Sequence, residues 1–408
     1  MEHWLDLQGQ GRLAAFFERI GRILKDAGRR ASFAIYAQGL LGEGERKSME
    51  PIAARTCPDP SRVDAAHQRI QHFLVDSPWS DHEVRREAAH FVISALTERE
   101  SINTWQFDDT GFLKQGKHSV GVQRQYTGSA GKIANCQVGV SLSLGTRTQQ
   151  VPIDFELYLP KSWTEDLVRR REARIPEGVT FKTKVALALE MAGRAVAEGV
   201  PRGVVLADSF YGDEPSFRSG VRSLDLDYAV AVKSDNRVWR TDSKGRRLGE
   251  PVTVGELART LNPKKFRLVT WRDGVKNPLR ARFVFARVTP AYRNKGDPPE
   301  QRETVWLVIE QTDDATAPFK YYFATLPRYW TRKRLIRLIK ERWKTERVYE
   351  DMKGEIGLDH FEGRRFPGWH HHISVALCCY AFVVAERVRR FPPTPRRQEV
   401  DGPFAVAA

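Results

Sequence analysis

Two aspartates and a glutamate in this sequence have the types and settings to do chemistry together. Asp109 and Asp208 close runs that read as β-strands, Asn103–Asp109 and Gly203–Asp208. Glu346 lies in a cationic stretch, four residues after Arg342 and seven before Lys353. Groups at the strand ends of α/β sheets are presented by a rigid frame, where ligands bind. A further carboxylate from a facing helix completes an oxygen-rich cage of the kind that Mg²⁺ takes. Two such ions, about 3.5–4 Å apart, activate a water or a 3′-hydroxyl and stabilise the leaving oxygen of a phosphodiester. Arginine and lysine beside them would hold backbone phosphates.

A helix from about Thr331 to Ile356, stopped by Gly357, must position the glutamate. At about 100° per residue, Leu335, Leu338, Arg342, Glu346, Tyr349 and Lys353 fall on one stripe, apolar at first and then charged. The stripe predicts that its charged half meets phosphate or metal at a core's edge, an ion-pair network being the alternative. Residues 328–347 hold nine Lys/Arg (Arg328, Arg332, Lys333, Arg334, Arg337, Lys340, Arg342, Lys344, Arg347) and two acids, Glu341 and Glu346. Nine minus two is +7, nearly half of the chain's formal +15.

The rest of the pattern supplies the frame. Ser80-x-x-Glu83 reads as a capping box opening a helix through Leu96, and Ser61-x-x-Asp64 starts a weaker one to about Val75. Val138–Leu144 and Val151–Leu159 alternate as half-buried strands. A helix over 184–198, the Gly203–Asp208 strand, a helix near 213–223 and a strand over Tyr228–Lys233 follow. This order predicts an α/β layer with a mixed sheet. Between 234 and 318 the chain is rich in strands and turns: Asp273-Gly274 marks a turn, Arg280–Val288 and Thr304–Glu310 read as strands, and 290–301 is a polar loop.

Composition removes several classes. The 408 residues, 41% hydrophobic, exclude disorder throughout, and a sequence pI near 9.7 favours a polyanionic partner. The first residues lack a secretory apolar run, and Ile373–Ala385 is too short to span a bilayer, so no membrane partner is expected. Cys57, Cys136, Cys378 and Cys379 show no C-x-x-C spacing, which fits a reducing cytoplasm. No nucleotide-binding glycine loop occurs.

Arg342-x3-Glu346-x6-Lys353 resembles the signature of the DDE-type insertion-sequence transposases in the Y-x2-R-x3-E-x6-K group. The segments 107–128 (FDDTGFLKQGKHSVGVQRQYTG), 204–213 (VVLADSFYGD) and 357–372 (GLDHFEGRRFPGWHHH) look like those of its IS-seven-hundred-and-one-like branch. The resemblance covers roughly 100–385 and extends to 39–55. It implies a ribonuclease-H-like catalytic core with a β-rich insertion, alongside a helical N-terminal domain. The expected organisation is 1–100 helical and DNA-binding; 101–233 and 319–385 the two parts of the core; 234–318 the insertion; and 386–408 a flexible basic tail. Asp109, Asp208 and Glu346 match the catalytic, metal-binding acids, holding two Mg²⁺ ions for which Mn²⁺ can substitute. Arg342 and Lys353, with Arg337 and Lys344, are the expected DNA contacts. The implied function is cleavage at the ends of an insertion sequence and joining to target DNA. It implies double-stranded DNA partners (terminal inverted repeats and target), a homodimer in a synaptic complex, and a cytoplasmic, nucleoid-associated protein. The alternatives are a silent DNA-binding regulator and a structure-selective nuclease without strand transfer.

One departure is Ile339, where the signature has tyrosine. Asp108 and Asp109 point to opposite strand faces, and Asp109, directly before Thr110, is the chosen ligand. Glu350 and Glu355 are rival third acids. His370-His371-His372 cannot all face one ion from a helix, so packing or DNA contact is expected of them. Trp330, Trp343 and Trp369 could stack on bases, although most of the ten tryptophans should be core.

Overall fold

A computed structural model of the chain describes residues 6–242, 244–272, 277–291, 303–312, 319–327 and 330–391. They fall into two units. The first comprises 6–102, 108–191 and 344–391; the second comprises 103–107 and 192–343. The Asp273-Gly274 turn, most of the 290–301 loop and Arg328 lie outside the described residues.

The first unit is built on strands β1 (Thr104–Leu113, from Asp108 onward), β2 (Gln123–Thr127), β3 (Lys132–Gly145) and β4 (Gln150–Tyr158). β3 pairs antiparallel with β2 and β4, and is also a neighbour of β1. β3 is buried on both faces from Cys136 to Gly145, rather than half-buried as its alternation predicts. The small residues explain this: Gly139 meets Phe112 and Phe155, and Ser141 bonds Tyr349. In β4 the polar partners Asp154 and Glu156 lie beside Arg85 of the Asp81–Thr97 helix, at 3.0 and 3.6 Å.

The N-terminal helices belong to the first unit. The Leu7–Leu24, Ala27–Leu41 and Asp81–Thr97 helices share a core with the 25-residue Phe366–Arg390 helix. Phe16 and Phe91 pack on Phe382, and the Tyr36 hydroxyl bonds His372. Ser80 caps the Asp81–Thr97 helix as its spacing predicts. At the weaker start it is Asp59, not Ser61, that caps, accepting from the Ser61 N–H. The Phe366–Arg390 helix is long and apolar enough to cross a membrane, yet most of it is buried in protein. It also runs into the segment expected to be a tail: Glu386 is buried, held by Arg12 and Arg389.

The second unit contains the first residues of β1, then β5 (Val204–Ala207), β6 (Tyr228–Val232), β7 (Arg237–Thr241), β8 (Arg247–Thr253), β9 (Arg267–Arg272), β10 (Leu279–Ala291), β11 (Val305–Gln311) and β12 (Lys320–Ala324). β1, β5 and β6 are parallel neighbours, with Gln106 opposite Leu206. The strands of the insertion then continue the ladder in the order β12-β11-β10-β7-β8, antiparallel, with β9 pairing β10. This is the mixed α/β, ribonuclease-H-like arrangement, with its β-rich insertion added beyond β6.

Candidate active site

β1 does not end at the aspartates. It runs through Asp108 and Asp109 to Leu113, so Asp109 is a mid-strand residue rather than the strand-end residue its pattern predicts. Its carboxylate Oδ2 accepts from Lys184 Nζ at 2.8 Å. Lys184 opens the Lys184–Ala197 helix, and both side chains are 20% exposed. Asp108 turns back locally, its Oδ1 accepting the Asp109 N–H at 2.9 Å. Buried Cys136 lies in the same field: burial raises its thiol pKa, Asp109 raises it further, and Lys184 and Lys353 oppose.

Asp208 directly follows β5 and N-caps the turn Ser209–Gly212. Its Oδ1 accepts from the N–H groups of Phe210 (2.9 Å) and Tyr211 (3.4 Å). This is ordinary capping chemistry, and it also fixes the carboxylate's direction. Gly212 is required by close approach, since a Cβ there would lie 1.9 Å from the Ala231 carbonyl oxygen.

The Glu346 helix is nearly continuous but changes form. Helix Arg332–Ile339, capped by Thr331, passes through a 3₁₀ turn at Lys340–Arg342 into helix Trp343–Asp351, then a π-helical turn Met352–Ile356. Gly357 ends it with φ 73°, as predicted. A 3₁₀ turn advances about 120° per residue instead of about 100°, so three residues shift the face by about 60°. The single stripe expected from the sequence is therefore broken. Leu335, Ile336, Leu338 and Ile339 are buried in the second unit's core, whereas Lys344, Thr345, Val348 and Tyr349 are buried in the first. Glu346 stays exposed and forms no ion pair among the described residues. Its rival Glu350 pairs with Arg347 at 3.6 Å, and the Glu355 carbonyl accepts from Lys47.

Two expected DNA contacts are engaged internally. Lys344 is 9% exposed and donates to the carbonyls of Thr146 and Arg147, at 3.1 and 2.8 Å. Lys353 donates to the Gly111 carbonyl at 2.7 Å and to Ser129 Oγ at 3.0 Å, its ammonium 5.5 Å from the Phe112 ring centroid. Burial lowers its pKa, against an opposing pull from Asp359 and Cys136. Lys353 thus ties the helical segment carrying Glu346 to the strand carrying Asp109. Arg337 and Arg342 are half-buried. Ile339 is 5% exposed, so the signature tyrosine's position is a core position here.

The three histidines are core groups. His371 contacts the carbonyls of Leu74 (2.7 Å) and Trp79 (3.0 Å) and stacks on the Trp79 ring. His372 bridges Tyr36 and the Leu358 carbonyl, and burial depresses its pKa to about 4. Trp369 is buried; Trp343 is 44% exposed with the Arg272 guanidinium 4.3 Å from its ring. Among the described residues no three His, Cys, Asp or Glu side chains are gathered closely enough to hold a metal ion. Lys184 escaped the sequence reading. A lysine opening a helix was its one signal, because a cation there opposes the helix dipole.

Residues 17–278 match a family model described as DDE superfamily endonuclease, and residues 183–382 match one described as Transposase DDE domain. A probable transposase for insertion sequence element IS701 from Microchaete diplosiphon is 29% identical over 201 residues, which is 49% of this chain and 48% of that protein. The chain thus spans about half the length of that relative. With well over half of its length matched by the first model, the chain belongs to the DDE superfamily endonucleases.

Proposed function

We propose that the protein is a DNA transposase whose Asp109, Asp208 and Glu346 form one metal-dependent site. The observation that carries this reading is the Lys353 tether: it fastens the Glu346 helix to β1 within two residues of Asp109. The donor set suits Mg²⁺ or Mn²⁺, being three carboxylates and no thiolate or imidazole. Asp109 already attracts a cation, the Lys184 ammonium, and Glu346 has no competing ion pair among the described residues. When bound, two such ions would supply an activated oxygen nucleophile and stabilise the leaving oxygen.

The chain's own residues would prepare that chemistry. The N–H bonds from Phe210 and Tyr211 keep the Asp208 carboxylate aimed. Tyr349, bonded to Ser141 at 2.6 Å, and Thr345, bonded to Gln150 at 2.8 Å, seat the helix so that Glu346 remains on its open face. Arg342 and Arg337 are the proposed phosphate contacts; Lys344 is removed from that role by its burial, and Lys353 acts by positioning. The proposed substrate is double-stranded DNA bearing the element's terminal inverted repeats, with strand transfer into target DNA by a dimer.

The test is cleavage of such ends with Mg²⁺. Asp208→Asn and Glu346→Gln should each abolish nicking while DNA retention in a mobility-shift assay persists. Nicking at wild-type rates in either variant would sink the reading. Pre-cut ends distinguish a transposase, which joins them to target DNA, from a plain nuclease.

A further inference from the structure

Asp109 is held by a cation from its own chain. The Lys184 ammonium lies 2.8 Å from Oδ2, both side chains are mostly shielded, and both residues belong to the first unit. Helix formation gives no reason for a lysine at this point. It stands in the first turn of Lys184–Ala197, where a positive charge meets the positive end of the helix dipole. Capping is done by its neighbour, since Thr183 Oγ1 accepts from the Ala186 N–H at 3.1 Å. The lysine is therefore placed for the carboxylate, at a small cost to the helix.

We propose that Lys184 is the resident counter-ion of Asp109, and that a divalent cation must displace its ammonium to reach the carboxylate. This rests on Asp109 being a metal ligand. An ammonium has the charge sign and oxygen preference of a hard metal ion, but one charge in place of two and three N–H donors in place of a six-oxygen shell. It would keep the Asp109 carboxylate oriented without metal. A dication that also recruits other carboxylates would outcompete it. Lys184 is in this sense a positioning residue that sets the metal affinity of the site.

The experiment titrates Mn²⁺ into the full chain and follows free Mn²⁺ by electron paramagnetic resonance. Lys184→Met should bind Mn²⁺ about three- to tenfold more tightly than wild type, the size expected from removing one partly screened competing ion pair. Lys184→Arg keeps the charge and should stay within about twofold of wild type. Asp109→Asn should lose the site. Unchanged or weaker affinity in folded Lys184→Met, while Asp109→Asn still loses the site, overturns the counter-ion role and leaves the ligand role standing. Binding that survives Asp109→Asn overturns both. Circular dichroism melts confirm folding, and Lys184→Gln replaces the methionine variant should that one fail to fold.

Discussion

The two units place several of their cations differently. In the first, three are turned inward. Arg85, 3% exposed, is ringed by Asp81, Asp154 and Glu156, while Lys344 and Lys353 donate to backbone carbonyls. In the second, several cations lie over aromatic rings: Arg334 on Trp330, Arg272 on Trp343, Arg247 on Trp239 and the half-buried Arg287 on Trp306. There the outer face of the β9–β10 hairpin carries exposed Arg280 and Arg282 beside Leu268 and Thr270. The difference teaches that the described part of the basic run, 330–347, is not one uniformly exposed stripe. Lys340 pairs with buried Glu310, Arg332 and Arg334 stack on rings, and Lys344 is packed away. Net charge identifies the partner's sign; it does not identify which cations face it.

The contrast can be broken by substitution. Arg85→Met should cost about 3 kcal/mol, because it strands buried Asp154 and half-buried Asp81 and Glu156 without their counter-charge; urea unfolding measures it. By the same logic Arg282→Ala in the second unit should leave the midpoint unchanged, since an exposed side chain away from the core has little to lose.

A pH titration sharpens the comparison further. His372 has a folded pKa of about 4 against an ordinary 6.5, caused first by burial. The unfolded chain therefore binds a proton that the folded chain refuses. Stability from this group is complete above 6.5 and is lost as pH falls towards 4, by about 3 kcal/mol in all. His371, whose pKa burial also lowers, acts in the same direction. His372→Gln should flatten the slope of urea midpoint against pH. Smaller still is Gly357→Ala. With φ 73° and a new Cβ 2.7 Å from Lys47 Cβ, it should cost about 1–2 kcal/mol in thermal unfolding.

Much of the frame was legible because burial writes itself as periodicity. β4, β5, β6, β10 and β11 follow their apolar alternation or runs, and the Thr331 cap and Gly357 stop bracket the Glu346 helix. What escaped was set by tertiary partners. β1 hides its length because Asp108-Asp109-Thr110-Gly111 looks like a strand's end, although Thr110 and Gly111 are buried. The helix phase is lost at a 3₁₀ turn that no propensity marks, at the residues where the chain passes from one unit to the other. Glu386 reads as tail until Arg12, 374 residues away, is seen to hold it. Lys184 carries no motif of its own; only the folded chain brings it to Asp109.

The central claim is that Asp109, Asp208 and Glu346 act as one unit on DNA, and single-turnover nicking of a duplex bearing the terminal repeats tests it. Asp109→Asn, Asp208→Asn and Glu346→Gln should each lower the rate by about a thousandfold or more, and the triple variant should be no slower than the worst single one, as for residues that work together. A single variant that keeps near-wild-type nicking, or losses that multiply across the three, would contradict a shared site.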